Sequence, residues 1–380
     1  MPELAGASCG YNPVRGHARN PHAVAYSPGG SSSGTAAALG AGYARCGLGT
    51  DTAGSLRVPA DWCGVAGLRP SLGRYPLEGV VPLMQIDTPG PMAITVKELA
   101  LLDAVIVGDA EPGDVEGLDL AGKTILAPAR WAEGASAGTL EALALAKVAL
   151  EARGAIVVDD SEGHLAALEA AVAACTLLGP KTRPPLMRRL MREYLEASGA
   201  AVSIDEFVAR MHETSTLLKM GLTSPPACEW DALSADELTE RLAPYDAEVA
   251  DITAKMAEMF AATGAVAMLT PCTLKPPPNC VEGEASYGVL EAKNSEAAAS
   301  GDMMAAIGAN LDLKRMRGWQ ELCSRIPNDL PVPSLAVPTA ARHDMPGGER
   351  LPAGVLLWGP PRADRALLAV GVALEEALAA

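Results

Sequence analysis

Short apolar runs alternate with stretches of helical period from residue 95 to residue 179, and this alternation limits the folds open to the chain. "TVKELALLDAVIVG" has the spacing of a helix, "KTILAP" that of a strand, and "TLEALALAKVALEARG" that of a helix closed by Gly154. "AIVVDD" and "HLAALEAAVAACTLLG" repeat the strand and helix. A β–α–β–α order predicts an α/β layer with parallel strands. Residues 183–263 are almost purely helical in pattern, and "AVAML" (265–269) returns to the sheet. "PSLAVP", "PAGVLLWGPP" and the helical "ADRALLAVGVALEEALA" would complete the sheet and cover one face. A further helix is expected near residues 294–307.

With 380 residues the chain can bury a substantial core, built from Ala, Val, Leu and Met because aromatics are only 4%. The net charge of −16 argues against nucleic acid, whose phosphates recruit clustered Lys and Arg. The eight cysteines form no CxxC pair, so buried free thiols are expected, with no disulfide framework and no metal site. The N-terminus lacks a basic region followed by an apolar core, and no run of 18 apolar residues occurs, so the reading is cytosolic with no membrane association. No cofactor is expected.

The first hundred residues carry the chemistry. "PGGSSSGTA" (28–36) and "GTDTAGSLRVP" (49–59) are glycine–serine clusters. The first reads as a loop opening a small-residue helix over 31–45, with its serines capping the first turn. Neither contains GxxxxGK[ST], and the first lysine is Lys97, so a phosphate-binding P-loop is excluded. The Gly-x-Ser-x-Gly elbow fails as well, because Ala53 and Arg57 flank Ser55. None of the five histidines stands in a recognisable Ser-His-Asp motif. What fits is a nucleophilic Ser55 whose loop N–H groups, from Thr52, Ala53, Gly54 and Ser55, converge as an oxyanion hole. Small residues suit that use because a substrate carbonyl must approach the main chain closely.

Residues 26–93 run GGSS-x-G, GTDT-x-GS-x-R-x-P, CGV-x-G-x-RP and DT-x-GPMA in order, and this stretch resembles the core of the amidase signature family. The flanks "ELAG", "NPVRGHARNPH" and the C-terminal strands and helix resemble its indoleacetamide and mandelamide hydrolase branch. The resemblance implies hydrolysis of a carboxylic amide through a Ser–Ser–Lys triad. Ser55 falls at the nucleophile, and Ser31, after a cis peptide bond, at the relay. Ser32 is a positioning neighbour, and Asp51 and Arg57 read as a buried, paired scaffold for the nucleophile loop. The implied fold is α/β, a mixed and largely parallel sheet between helical layers, with 183–263 as a helical insertion in one domain spanning 1–380.

The family's base is a lysine well upstream of GGSS, and residues 1–30 contain none. Lys97 falls in the variable segment after the signature and reads as a solvated helix residue. The expectation is therefore a domain truncated at its N-terminus relative to the family, with three readings open. One is an amidase lacking an N-terminal segment, through a gene-boundary error, fragmentation or supply of that segment by another chain. Another is a pseudoenzyme that binds amide-like ligands or a partner. A third is a subunit acting on charged transfer RNA, against which the acidic composition counts. Expected partners are a small-molecule amide, and either a second copy in a homodimer or a complementing N-terminal segment. The helical insertion and residues 270–325 would form the substrate pocket. Met211, Met220, Trp230, Met303, Met304 and Trp319 there suit an aryl or otherwise apolar amide, and Glu284 or Lys275 a polar one.

Overall fold

Leu335, Val337, Val355 and Leu357 lie on one face of a sheet whose other face carries Ala336, Leu356 and Trp358, and all are buried. Strands apolar at every position are what a sheet covered on both sides requires. The computed structural model describes residues 1–6, 9–12, 14–81, 87–109, 115–159, 163–174, 183–212, 232–282, 292 and 332–380.

The chain runs α1 (Ser33–Gly40), β1 (Cys46–Asp51), α2 (Arg57–Cys63), β2 (Ala66–Arg69), β3 (Thr88–Ala93) and α3 (Val96–Ile106). Then follow β4 (Thr124–Leu126), α4 (Ala137–Ala152), β5 (Ile156–Val158), α5 (His164–Ala174), α6 (Arg183–Ala197) and α7 (Ile204–Ala209). The close is α8 (Ala235–Thr263), β6 (Ala265–Pro271), β7 (Ser334–Asp344), β8 (Arg350–Trp358) and α9 (Asp364–Leu378). Eight strands form one sheet in the order β1-β3-β2-β7-β8-β6-β4-β5.

The sheet is mixed and lies between helices, as expected, but it is not largely parallel. Only β4 pairs in parallel, with β5 and with β6; the other described pairings are antiparallel. The β–α–β alternation predicts parallel strands only where helices make the crossovers. Outside it, β7 and β8 are joined by residues 345–349, with Gly348 at φ +88°, and so short a connection permits only a hairpin.

On one side α3, α4 and α9 pack Leu99, Leu143, Leu150, Leu368 and Leu374 onto the sheet. On the other, α1, α2, α5 and α8 contribute Leu39, Ala60, Leu165, Met256 and Phe260. Local signals set the helix ends. Thr95 and Ser136 cap α3 and α4 through their hydroxyls, and Ser234 with Glu237 forms a reciprocal capping box on α8. Gly154 and Gly264 take positive φ after α4 and α8.

The helix expected over 31–45 is shorter, and the residue at its N-cap, Ser32, makes no capping bond. Its hydroxyl is committed to Thr50 instead. Among its described residues, 183–263 holds α6, α7 and α8 and no strand. The helix expected near 294–307 lies outside the described residues, as do Met220, Trp230, Glu284, Met303, Met304 and Trp319. Met211 is half-buried against the cluster of Met187, Met191 and Leu195. Of the described thiols, Cys63, Cys272 and Cys280 are buried, whereas Cys46 is exposed on β1. No described helix is long and apolar enough to cross a membrane.

Candidate active site

The loop from Asp51 to Leu56 joins β1 to α2 and takes its shape from one carboxylate. Asp51 is fully buried, and its Oδ1 accepts from Gly54 N (2.9 Å), Arg57 Nη2 (3.0 Å) and Arg69 Nη1 (3.0 Å). Its Oδ2 accepts from Leu56 N (3.1 Å) and Arg57 Nε (3.0 Å). Burial alone would raise this carboxyl's pKa, but the Arg57 and Arg69 charges, with bonds from Arg57 and Gly54, hold it well below the usual carboxylate range. Arg57 also lies over the Trp358 ring, 5.5 Å from its centroid. Arg69 reaches round to the Asp51 carbonyl (2.6 Å) and the Thr52 carbonyl (3.4 Å).

Ser55 sits half-buried in this loop just before α2. Of the four N–H groups expected to converge, that of Gly54 is held by Asp51. Among the described residues nothing takes those of Thr52, Ala53 or Ser55. The Thr52 hydroxyl donates to Asp87 Oδ1 at 2.5 Å.

The second serine loop lies against the first. The Gly30–Ser31 peptide is cis. Gly29 has φ +81°, its N–H donates to Ser27 Oγ, and its carbonyl accepts from Ser33 Oγ at 2.7 Å. Ser32 N donates to the Ser55 carbonyl at 3.1 Å, so the two loops share a backbone bond. Ser31 is fully buried and its hydroxyl has no hydrogen-bond partner among the described residues, so it makes no direct bond to Ser55. A buried hydroxyl left unpaired costs about 1–3 kcal/mol, which makes it an exception calling for a reason. Lys97 is exposed in the first turn of α3.

A third segment, residues 272–280, braces both loops. Cys272 Sγ donates to the Arg57 carbonyl at 3.4 Å, and Thr273 Oγ1 donates to Asp61 Oδ2 at 2.6 Å while accepting from Trp62 Nε1. At its far end Ser27 N donates to the Pro278 carbonyl and Cys280 N to the Ala25 carbonyl. Cys63 Sγ ties α2 to the Pro28 carbonyl at 3.4 Å. Asp61 also accepts from Gly354 N at 2.6 Å; burial pushes its carboxyl up to about 6, against the pull of these two bonds.

Sequence reasoning singled out Ser31, Ser32, Asp51 and Arg57 and passed over Arg69, Asp61, Thr273 and Asp87. For Arg69 a signal existed: an arginine ending the apolar run "CGVAGLR" must meet an acid if that run is buried. Thr273 and Asp61 are 212 positions apart, and nothing local announces their contact.

The chain is similar to known proteins over most of its length. The amidase family model matches residues 1–368. A mandelamide hydrolase from Pseudomonas putida is 36% identical over 216 residues, covering 55% of this chain and 41% of that protein. An indoleacetamide hydrolase from Rhizobium radiobacter is 43% identical over 122 residues, covering 31% of this chain and 26% of that protein. These matches thus span less than half the length of either curated relative. A solved amidase superposes with a TM-score of 0.65 at 25% identity, over 100% of this chain and 73% of its own. The chain belongs to the amidase family.

Proposed function

We propose that this chain hydrolyses carboxylic amides, with Ser55 as nucleophile and Ser31 as proton relay. The supporting observation is the fully buried Ser31 hydroxyl, without a partner among the described residues, on a loop that is hydrogen-bonded to the Ser55 carbonyl. Ser55 Oγ attacks the amide carbon and gives its proton to Ser31 Oγ, which passes its own to a neutral base. The negative charge that gathers on the carbonyl oxygen is met by loop N–H groups. Collapse of the tetrahedral intermediate breaks the C–N bond, the amine leaves with a proton, and water then cleaves the acyl-serine. The base in this reading is an amine from outside residues 1–30, which hold no lysine. Two similar hydrolases are named for mandelamide and indoleacetamide, both aryl-bearing amides, and this favours an aryl acetamide as substrate.

The test compares release of ammonia from an aryl acetamide, and cleavage of an activated aryl ester, by the wild type, Ser55→Ala and Ser31→Ala. Loss of both activities in Ser55→Ala is expected. Ser31→Ala should lose roughly 10²–10⁴-fold on the amide, the usual weight of a proton-transfer group, and less on the ester. Unchanged turnover in Ser55→Ala would overturn the assignment.

A further inference from the structure

The strand register carries one inference further, resting on the reading of Ser55 just given. The β1–β3 ladder ends at the pair Asp51↔Thr88. The next pair along the same register is Thr52 opposite Asp87. At this point β1 leaves the sheet to become the serine loop, and the backbone rungs stop. The side chains supply the next one: Thr52 Oγ1 donates to Asp87 Oδ1, and Asp87 is buried. Arg69 Nη1 approaches the Thr52 carbonyl from β2. Thr52 is therefore held by its hydroxyl and its carbonyl, while its N–H has no partner among the described residues.

We infer that Asp87 is a positioning residue for the oxyanion-binding loop, fixing the Thr52 peptide through the Thr52 hydroxyl. Such a hole works because its donors are already oriented when charge develops, and a rotated peptide loses that advantage without losing the donor. The role needs an acceptor at Asp87 and not a charge. A carboxylate's charge near a developing oxyanion is unfavourable, so an amide in its place, still accepting through Oδ1, should serve as well. The Thr52 hydroxyl is needed only as the donor in this bond, so valine, of the same shape, removes the interaction cleanly.

The experiment measures kcat and KM on an aryl acetamide or activated aryl ester for wild type, Thr52→Val, Asp87→Ala, Asp87→Asn and the double variant Thr52→Val/Asp87→Ala. Affinity for an arylboronic acid, which forms a tetrahedral adduct on a nucleophilic serine, is measured alongside and needs no turnover. Deleting an oxyanion donor outright costs about 10²–10³ in kcat, so misorienting one should cost roughly 10–100-fold, with KM within about threefold. The double variant should be no worse than the poorer single one, because both remove the same bond. Asp87→Asn should stay within about threefold of wild type, and boronate affinity should fall in parallel with kcat. Additive losses, a wild-type kcat in Thr52→Val, or an Asp87→Asn as poor as Asp87→Ala would overturn the inference. If Asp87→Ala fails to fold, Thr52→Val and Asp87→Asn decide it alone. Activity or boronate binding that survives Ser55→Ala would instead sink the nucleophile reading, and a wild type that neither turns over nor binds boronate would sink both.

Discussion

The backbone of Gly29 rests on Pro59: a Cβ placed on Gly29 would lie 2.7 Å from Pro59 Cα and 2.9 Å from its nitrogen. Gly29 precedes Ser31 by two residues and Pro59 lies in the helix that follows Ser55, so this contact sets how close the serine loops come. Any side chain at 29 would push them apart.

Gly29→Ala should therefore destabilise the fold and abolish hydrolysis. The positive φ costs roughly 1–2 kcal/mol for an L-residue and overpacking about 1–3 kcal/mol more. Gly34→Ala is the matched control, since Gly34 lies on α1 with nothing within 4 Å of its Cβ position. It should be neutral or stabilising by up to about 1 kcal/mol. Thermal melts of the two variants check the pair.

Asp51→Asn should be among the most damaging single changes. It leaves the buried guanidiniums of Arg57 and Arg69 facing an amide, and breaking one partner of a buried ion pair costs about 3–5 kcal/mol. Because the Asp51 pKa is depressed in the fold, its stabilisation is fully present above the unfolded value near 3.8 and is lost only in stronger acid. Denaturant unfolding at neutral pH, where the deficit should be complete, measures it.

Two buried groups should oppose each other in mild acid. Asp61 has its pKa raised from 3.8 to about 6, so between those values the folded state keeps a proton that the unfolded state releases, and stability falls as pH rises. His343 is buried with Nδ1 3.2 Å from Ser136 Oγ, and burial lowers its pKa from 6.5 to about 4. There the unfolded state takes the proton that the fold refuses, so stability rises with pH. The two slopes nearly cancel between about pH 4 and 6. Asp61→Asn removes one of them, so its stability should drop more steeply than wild type on acidification, by roughly 2–3 kcal/mol across that window. Parallel pH-dependence in the two proteins would contradict this.

Alkylation of the native protein should separate the thiols. Cys46 is exposed, while Cys63 is buried with its pKa raised by burial and by the Asp61 charge. Brief treatment with iodoacetamide should modify Cys46 and spare Cys63 and Cys272, as peptide mass spectrometry would show.

Much of the fold was readable where local order and long-range order agree. The helices α3 and α4 and the strands β4 and β5 follow from periodicity, caps and Gly154. The antiparallel majority was not, because periodicity gives each strand but not its neighbour, and β2 pairs with β7 across more than 260 positions. In the site, the serine loops were visible through their ordered motifs. The residues that hold those loops were not: Arg69, Asp87 and Thr273 act through contacts that exist only once the sheet is assembled.

Ser32 shows what such economy entails. Its hydroxyl bonds both the N–H and the carbonyl of Thr50, and Thr35 Oγ1 donates to the Leu48 carbonyl. Those groups belong to β1, the outermost strand of the described sheet, where unpaired backbone would template stacking by another chain. The helix that follows Ser31 thus also seals a sheet border. A lesion there that was meant to probe catalysis would expose an adhesive edge, and self-association would appear in the same tube as lost turnover.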